Sequence, residues 1–177
     1  LDGSTNPPLA LTQNSALNSG AKLVANYQSN LYLINLATKI TYRVSNFASD
    51  LANIAVYNKA ENLSGLATPT AFAVNGQVLV ADKNGLVLEF GRNTVTKIKF
   101  QLPIIDGPVK IATNDKSLIT VIASGRTLYL LDSANSLLKT IFLASESKIT
   151  DLALDPTDPT KLWVAIGKKL YVLNLPN

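Results

Sequence analysis

The chain has 177 residues, 47% of them apolar and 16% charged, with nine Gly and eight Pro. That length suits one domain with one sizeable core, and the composition excludes a disordered chain or a low-complexity linker. The net charge of +4 is uneven: residues 1–90 hold five groups of each sign, whereas residues 91–177 hold eleven basic and seven acidic ones.

Missing residue types prune the chemistry further. The chain has no Cys, which removes disulfides, thiolate nucleophiles and Cys-based zinc sites. It has no His, which removes the imidazole base, the Ser-His-Asp triad and His-ligated metals. No apolar run reaches the roughly 18 residues of a membrane helix, and nothing at the N-terminus reads as a signal peptide, so a soluble chain without a membrane span is expected. With Leu1 first and no Met, a processed or excised piece is expected. Nucleic-acid binding is not: the lysines are scattered singly and are not interleaved with base-stacking aromatics. In Thr96–Phe100 alternation sets Lys97 and Lys99 on one solvated strand face, opposite Ile98 and Phe100.

In chain order, short runs rich in Val, Ile, Leu and Tyr, bounded by Gly, Asn, Asp or Pro, predict strands at Lys22–Tyr27, Leu31–Leu36, Gln77–Asp82, Leu86–Phe90, Leu118–Ala123, Leu128–Asp132, Leu162–Ile166 and Leu170–Leu175. Asn75-Gly76 and Asn84-Gly85 are tight-turn dipeptides. Asp50–Asn62 reads two ways. Ser49 or Asp50 could cap a helix there, yet Leu51–Asn58 also matches the strand that opens the later units.

The strands repeat, and the repeat decides the architecture. Leu31–Asn35, Leu86–Phe90, Leu128–Asp132 and Leu170–Asn174 are versions of one strand, with first residues 55, 42 and 42 apart. A preceding strand recurs at Lys22–Tyr27, Val78–Asp82, Leu118–Ala123 and Leu162–Ile166. An earlier one recurs at Thr70–Asn75, Val109–Asn114 and Ile149–Asp155. A trailing one recurs at Ile40–Phe47, Val95–Leu102 and Leu137–Leu143. Four antiparallel strands in about 42 residues is the period of a β-propeller blade. The predicted blades are 9–47, 68–102, 107–143 and 148–177, with 48–66 as an insertion. The last unit stops after its third strand, so either Leu9–Gln13 returns to complete that sheet or its edge stays open to association.

Pro69–Asp82 with Leu86–Phe90 resembles an NHL-type blade. Gly125–Asp132 followed by Leu137–Thr140 is similar to quinoprotein-type and YVTN-type repeats, and Ile149–Leu175 with Asp155–Pro159 to blades of sortilin-like and sialidase-like propellers. No unit carries the full WD40 signature or the Trp that ends a quinoprotein motif. The resemblance covers most of residues 20–175. It implies an all-β propeller, with binding as the commonest role. The repeat gives about four blades of four-stranded antiparallel sheet, which could close a small ring, but with no initiator Met the C-terminal part of a larger propeller is expected.

Two function classes follow. One is a non-catalytic module that binds a protein, peptide or glycan. The other is a propeller enzyme, a metal-dependent lactonase or lyase, using carboxylates and amides at the central channel. The scarcity of Glu, at Glu61, Glu89 and Glu146 with none in a matching blade position, favours binding, and no catalytic or cofactor-binding residue is assigned. Asp155 and Asp158 are the candidate Ca²⁺ ligands, weighed against Asx turns closing a hairpin. Asn35, Asp132 and Asn174 recur at one blade position, as a turn requirement demands. Trp163 is expected in the core, and Lys168-Lys169 at a hairpin tip. Asn53, Tyr57, Asn58 and Lys59, in the one segment that breaks the repeat, are the candidate partner-binding residues. Seventeen Asn, no Cys and an acceptor tripeptide at Asn62-Leu63-Ser64 suit an extracytoplasmic or cell-surface domain.

Overall fold

A computed structural model describes residues 20, 22–46, 54–94, 97–113, 116, 119–134 and 136–176. The expected strands form, and sort by chain order into four antiparallel sheets. The first sheet holds β1 (Lys22–Tyr27), β2 (Asn30–Asn35), β3 (Thr41–Val44) and β4 (Ile54–Asn58). The second holds β5 (Pro69–Val74), β6 (Val78–Asp82), β7 (Leu86–Phe90) and β8 (Lys97–Gln101). The third holds β9 (Val109–Ala112), β10 (Thr120–Ser124), β11 (Thr127–Leu131) and β12 (Leu137–Phe142). The fourth holds β13 (Ile149–Leu154), β14 (Lys161–Ile166) and β15 (Lys169–Asn174). Each strand pairs with the next, so every sheet is a meander joined by short turns. Gly76 and Gly85 sit at φ +98° and +77° in two of these turns, a region glycine enters without a Cβ clash.

The core lies between successive sheets, in three layers. Tyr32, Ile34 and Tyr57 of the first sheet meet Val78, Val80 and Phe90 of the second. Ala71, Ala81 and Val87 meet Ile122, Tyr129 and Leu131, and Val121, Leu128 and Leu130 meet Leu152, Leu162 and Val164. Side-chain alternation makes this possible, because each middle sheet is apolar on both faces and buries one against each neighbour. Phe72, Val74, Ile111, Leu152 and Leu154 lie in these layers, as the repeat predicts. β1 packs beside β5, β5 beside β9, and β9 beside β13, so the first strand of every sheet is innermost.

Three expectations need correction. Lys22–Tyr27 is the innermost strand of its sheet rather than its second, and the segment read as an insertion supplies the outermost strand, β4, followed by a 3-10 turn at Ala60–Leu63. The first sheet therefore runs from Lys22 to Asn58, not from 9 to 47. Ile54, Val56 and Tyr57 favour strand over helix, and pairing with β3 satisfies their backbone. Leu9–Gln13 lies outside the described residues. The second correction concerns Lys99. A bulge opposite Val87 and Leu88 breaks the alternation, and Lys99 turns inward, its ammonium 3.3 Å from Glu89. The third concerns Trp163, which is exposed on the outer face of the fourth sheet.

Candidate functional site

Where the inner strands converge, they line a cavity of about 200 Å³. Ala25, Ala73, Ala112 and Ala153 take the same position in β1, β5, β9 and β13 and all border it. Small side chains are what four converging strands can accommodate at their closest approach. Asn26 and Thr113 are the polar members of the lining, and no carboxylate contributes to it among the described residues.

The two rims differ. One carries the links between sheets, 59–68, 102–108 and 143–148, together with the hairpin tips 83–85, 125–126 and 167–168. Its links are braced both within a sheet and to the next one. Ile149 N donates to Gly125 O at 2.7 Å and Leu102 N to Gly85 O at 3.0 Å. Ser124 Oγ accepts from Asp106 N and donates to Gly107 O, both at 3.0 Å. Lys148 Nζ donates to the Asp106 carboxylate at 2.9 Å, and this bond and charge hold the Asp106 carboxyl below the usual carboxylate range. On this frame, between the second and third sheets, opens a notch of about 330 Å³ lined by Ile104, Asp106, Arg126, Thr127, Phe142 and Leu143. Ile104 and Phe142 are exposed there. Phe142 ends β12 directly opposite Thr127 in the register, and Arg126 Nη1 is held on Ser145 O at 3.1 Å. The notch thus combines an exposed apolar floor with a fixed cation. Sequence reasoning passed over it because Ile104 and Phe142 are 38 residues apart, one in the link after β8 and the other at the end of β12.

The predicted site residues fall elsewhere. Tyr57 and Asn58 are buried, correcting their placement on a recognition surface. The Tyr57 ring meets Tyr32 edge-on at 5.2 Å and Phe90 at 6.5 Å, and burial pushes its phenol up. Asn58 Nδ2 donates to Thr94 O at 3.2 Å, while its Oδ1 accepts from Lys59 N at 2.9 Å and from Asn62 Nδ2. It clamps the first sheet to the β7–β8 turn, which is why a polar side chain is tolerated inside. Asn62, of the acceptor tripeptide, is half-buried in that clamp. Lys59 is exposed beside Glu61, and Asn53 lies outside the described residues.

Asp155 and Asp158 close the β13–β14 turn on the opposite rim. Asp155 Oδ1 accepts from Thr157 N, Thr157 Oγ1 and Asp158 N at 2.8, 2.7 and 3.0 Å, and its Oδ2 from Trp163 Nε1 at 3.1 Å. Asp158 accepts from Thr160 N and Oγ1 and pairs with Lys161 at 2.9 Å. These are Asx-turn bonds. They pull both carboxyls below the ordinary range, Asp155 farthest. Among the described residues no group of three or more acidic side chains forms here. Asn35 and Asp132 likewise cap their turns through Oδ1. Asp82 does so from a buried position, accepting from Asn84 N, Leu86 N and Ala67 N.

Comparison with solved structures settles the architecture. Hsv2p of Kluyveromyces lactis superposes with a TM-score of 0.58 at 13% identity, over 90% of this chain and 50% of that one. A chain of the mitotic checkpoint complex gives 0.59 at 11% identity, over 87% and 48%. A chain of a nidogen/laminin complex gives 0.65 at 12%, over 88% and 60%. All three are propellers.

This chain is a β-propeller. Its four sheets are blades, and it spans about half the length of the first two propellers it matches. No protein-family model matches the sequence, nor does any curated protein.

Proposed function

We propose that this propeller is a non-catalytic module that binds a protein or peptide at the notch between its second and third blades. The observation that carries the reading is the exposure of Ile104 and Phe142 beside Arg126. Large apolar side chains left in water on a braced frame are a recognition signature, and Arg with an aromatic neighbour is a common energetic anchor. The apolar floor beside a fixed cation favours a peptide with an apolar anchor flanked by a carboxylate for Arg126. The lining of the central cavity supports binding over catalysis, since among the described residues it holds no carboxylate or base.

Panning a displayed peptide library against the folded chain tests this. Recovered sequences should share a large apolar residue next to Asp or Glu, and Phe142→Ala and Arg126→Ala should each weaken binding by about tenfold. Binding that ignores both substitutions removes the notch as the site. Calcium-dependent lactone hydrolysis, abolished by one carboxylate substitution, would replace the binding reading with the enzymatic one.

A further inference from the structure

We propose that the peptide bound at the notch continues from it as an added strand on the outer edge of β12, a fifth strand of the third blade; this rests on the notch reading and names how the partner is held. β12 is the outermost strand of its sheet, and among the described residues no strand pairs with its outer edge. Neighbouring blades pack on the two faces of this sheet, in the layers with Tyr129 and with Leu128, and not on that edge. Leu137, Leu138 and Phe142 are 45%, 51% and 68% exposed along β12, and Phe142 also lines the notch. Edge and notch are therefore one continuous surface.

The backbone defines what this edge takes. Leu143 N donates to Arg126 O at 3.0 Å, and the register runs on from there through Thr127↔Phe142, Leu128↔Ile141, Tyr129↔Thr140 and Leu130↔Lys139. Antiparallel pairs alternate between bonded and non-bonded, so Lys139 and Ile141 bond inward to β11, and the N–H and C=O of Thr140 and Phe142 point outward. An open row of this kind is completed by another extended backbone. Phe142 lies opposite Thr127, which lines the notch with it, so a strand added here turns every second side chain toward the notch side of the sheet. Leu138–Phe142 matches a partner segment of about five residues.

The outermost strands of the first two blades are guarded against such an addition. On β4 the Tyr57 carbonyl already accepts from Asn93 N at 3.0 Å, and the Asn58 side chain holds Thr94 O. β8 is interrupted by its bulge and carries the exposed Lys97, two devices that deter edge pairing. The bulge of β12 sits at its Leu137 end, beside Leu131, which leaves Leu138–Phe142 regular. Lys139 is the one charged residue of β12, and it is exposed. Pairing with a second β12 would gather lysines and offer them no acid, whereas a foreign strand bearing Asp or Glu meets Lys139 along the edge and Arg126 at the notch. The occupant is thus an extended acidic segment of another protein, with apolar residues at alternate positions.

The probe is a fluorescein-labelled synthetic peptide of about eight residues, alternating Val and Glu and closing on Phe-Asp. With it bound, the Thr140 and Phe142 amides should exchange with solvent about tenfold more slowly or beyond, while those of Lys139 and Ile141, already bonded to β11, should change little. Thr140→Pro removes an outward N–H and no ladder bond, a change that edge strands tolerate. Circular dichroism should stay β-type while binding falls about tenfold, as for the loss of one or two backbone hydrogen bonds. N-methylation of the probe at alternate residues should weaken binding in one phase and not in the other, a test that needs no folded variant. Binding that Phe142→Ala and Arg126→Ala weaken, but that ignores Thr140→Pro and both phases of N-methylation, would overturn strand addition and leave the notch reading standing. Binding that senses the edge changes and ignores both notch substitutions would overturn the notch reading instead. A probe that does not bind at all, or a native dimer that Thr140→Pro converts to monomer, would overturn the proposal.

Discussion

The Lys148 ammonium donates to both the carboxylate and the backbone carbonyl of Asp106, at 2.9 and 2.6 Å, across 42 residues of chain. That separation is one blade repeat, so the pair links the inter-blade connections on either side of the third blade. Gly125 completes the junction, its own carbonyl receiving the amide of Ile149.

Gly125 has φ +61°, and a Cβ there would lie 2.6 Å from Asp106 Cβ and 2.7 Å from its carbonyl oxygen. Gly125→Ala should cost about 1–3 kcal/mol, lowering the melting midpoint by about 3–10 °C for a domain of this size. Gly65→Ala is the control, since no atom lies within 4 Å of the added methyl. An unchanged midpoint for Gly125→Ala would mean that the junction relaxes freely.

Tyr57→Ala should destabilise the chain by about 3–5 kcal/mol, the range for emptying an aromatic site in a core. Lys59→Ala should leave the denaturant midpoint unchanged, because its only described ion pair is a 3.9 Å surface contact. Urea unfolding of the two single variants separates core from surface in this segment.

Lys99 and Glu89 form a pair inside the second blade, with the Lys99 side chain 7% exposed and that of Glu89 25%. Removing one partner strands a desolvated charge, so Lys99→Met should cost about 3 kcal/mol. Adding Glu89→Leu should recover much of that loss, and a double-mutant cycle measures the coupling. Additive effects would show that water already solvates both groups.

Acid should weaken the fold. The carboxyls of Asp106, Asp155 and Asp158 titrate lower in the folded chain than in the unfolded one. Their contribution is therefore fully present above the unfolded value of about 3.9 and is lost as pH falls through the depressed folded values. Asp155→Asn should be less stable than the native chain at neutral pH, and the gap should narrow steadily below about pH 4. A gap independent of pH would show that the turn's bonds to Asp155 do not favour its charged form.

Much of the fold was legible because blade strands alternate and recur. The spacing of Leu86, Leu128 and Leu170 and the Asn-Gly turns place most of the strands and the three packed layers. The first blade was misread by one strand because β3 and β4 are separated by a longer link than their counterparts, and β4 resembles an inner strand in sequence. Lys99 was misread because a bulge cancels period-two reasoning from one residue onward. Tyr57 and Lys59 were grouped together although β4 ends at Asn58, between a buried Tyr57 and an exposed Lys59.

By itself, then, the sequence determined what local pattern can encode: strand identity, turn chemistry at Asn35, Asp132 and Asp155, a repeat of about 42 residues, and the absence of thiol and imidazole chemistry. The tertiary structure decided what depends on which sheet covers which. Trp163 and Val121 occupy equivalent strands with equally apolar surroundings, yet only Val121 has a blade over it. The notch at Ile104, Arg126 and Phe142 forms only where the link between the second and third blades meets the third. Burial and convergence are properties of neighbours distant in the chain, and no window of sequence contains both sides of such a contact.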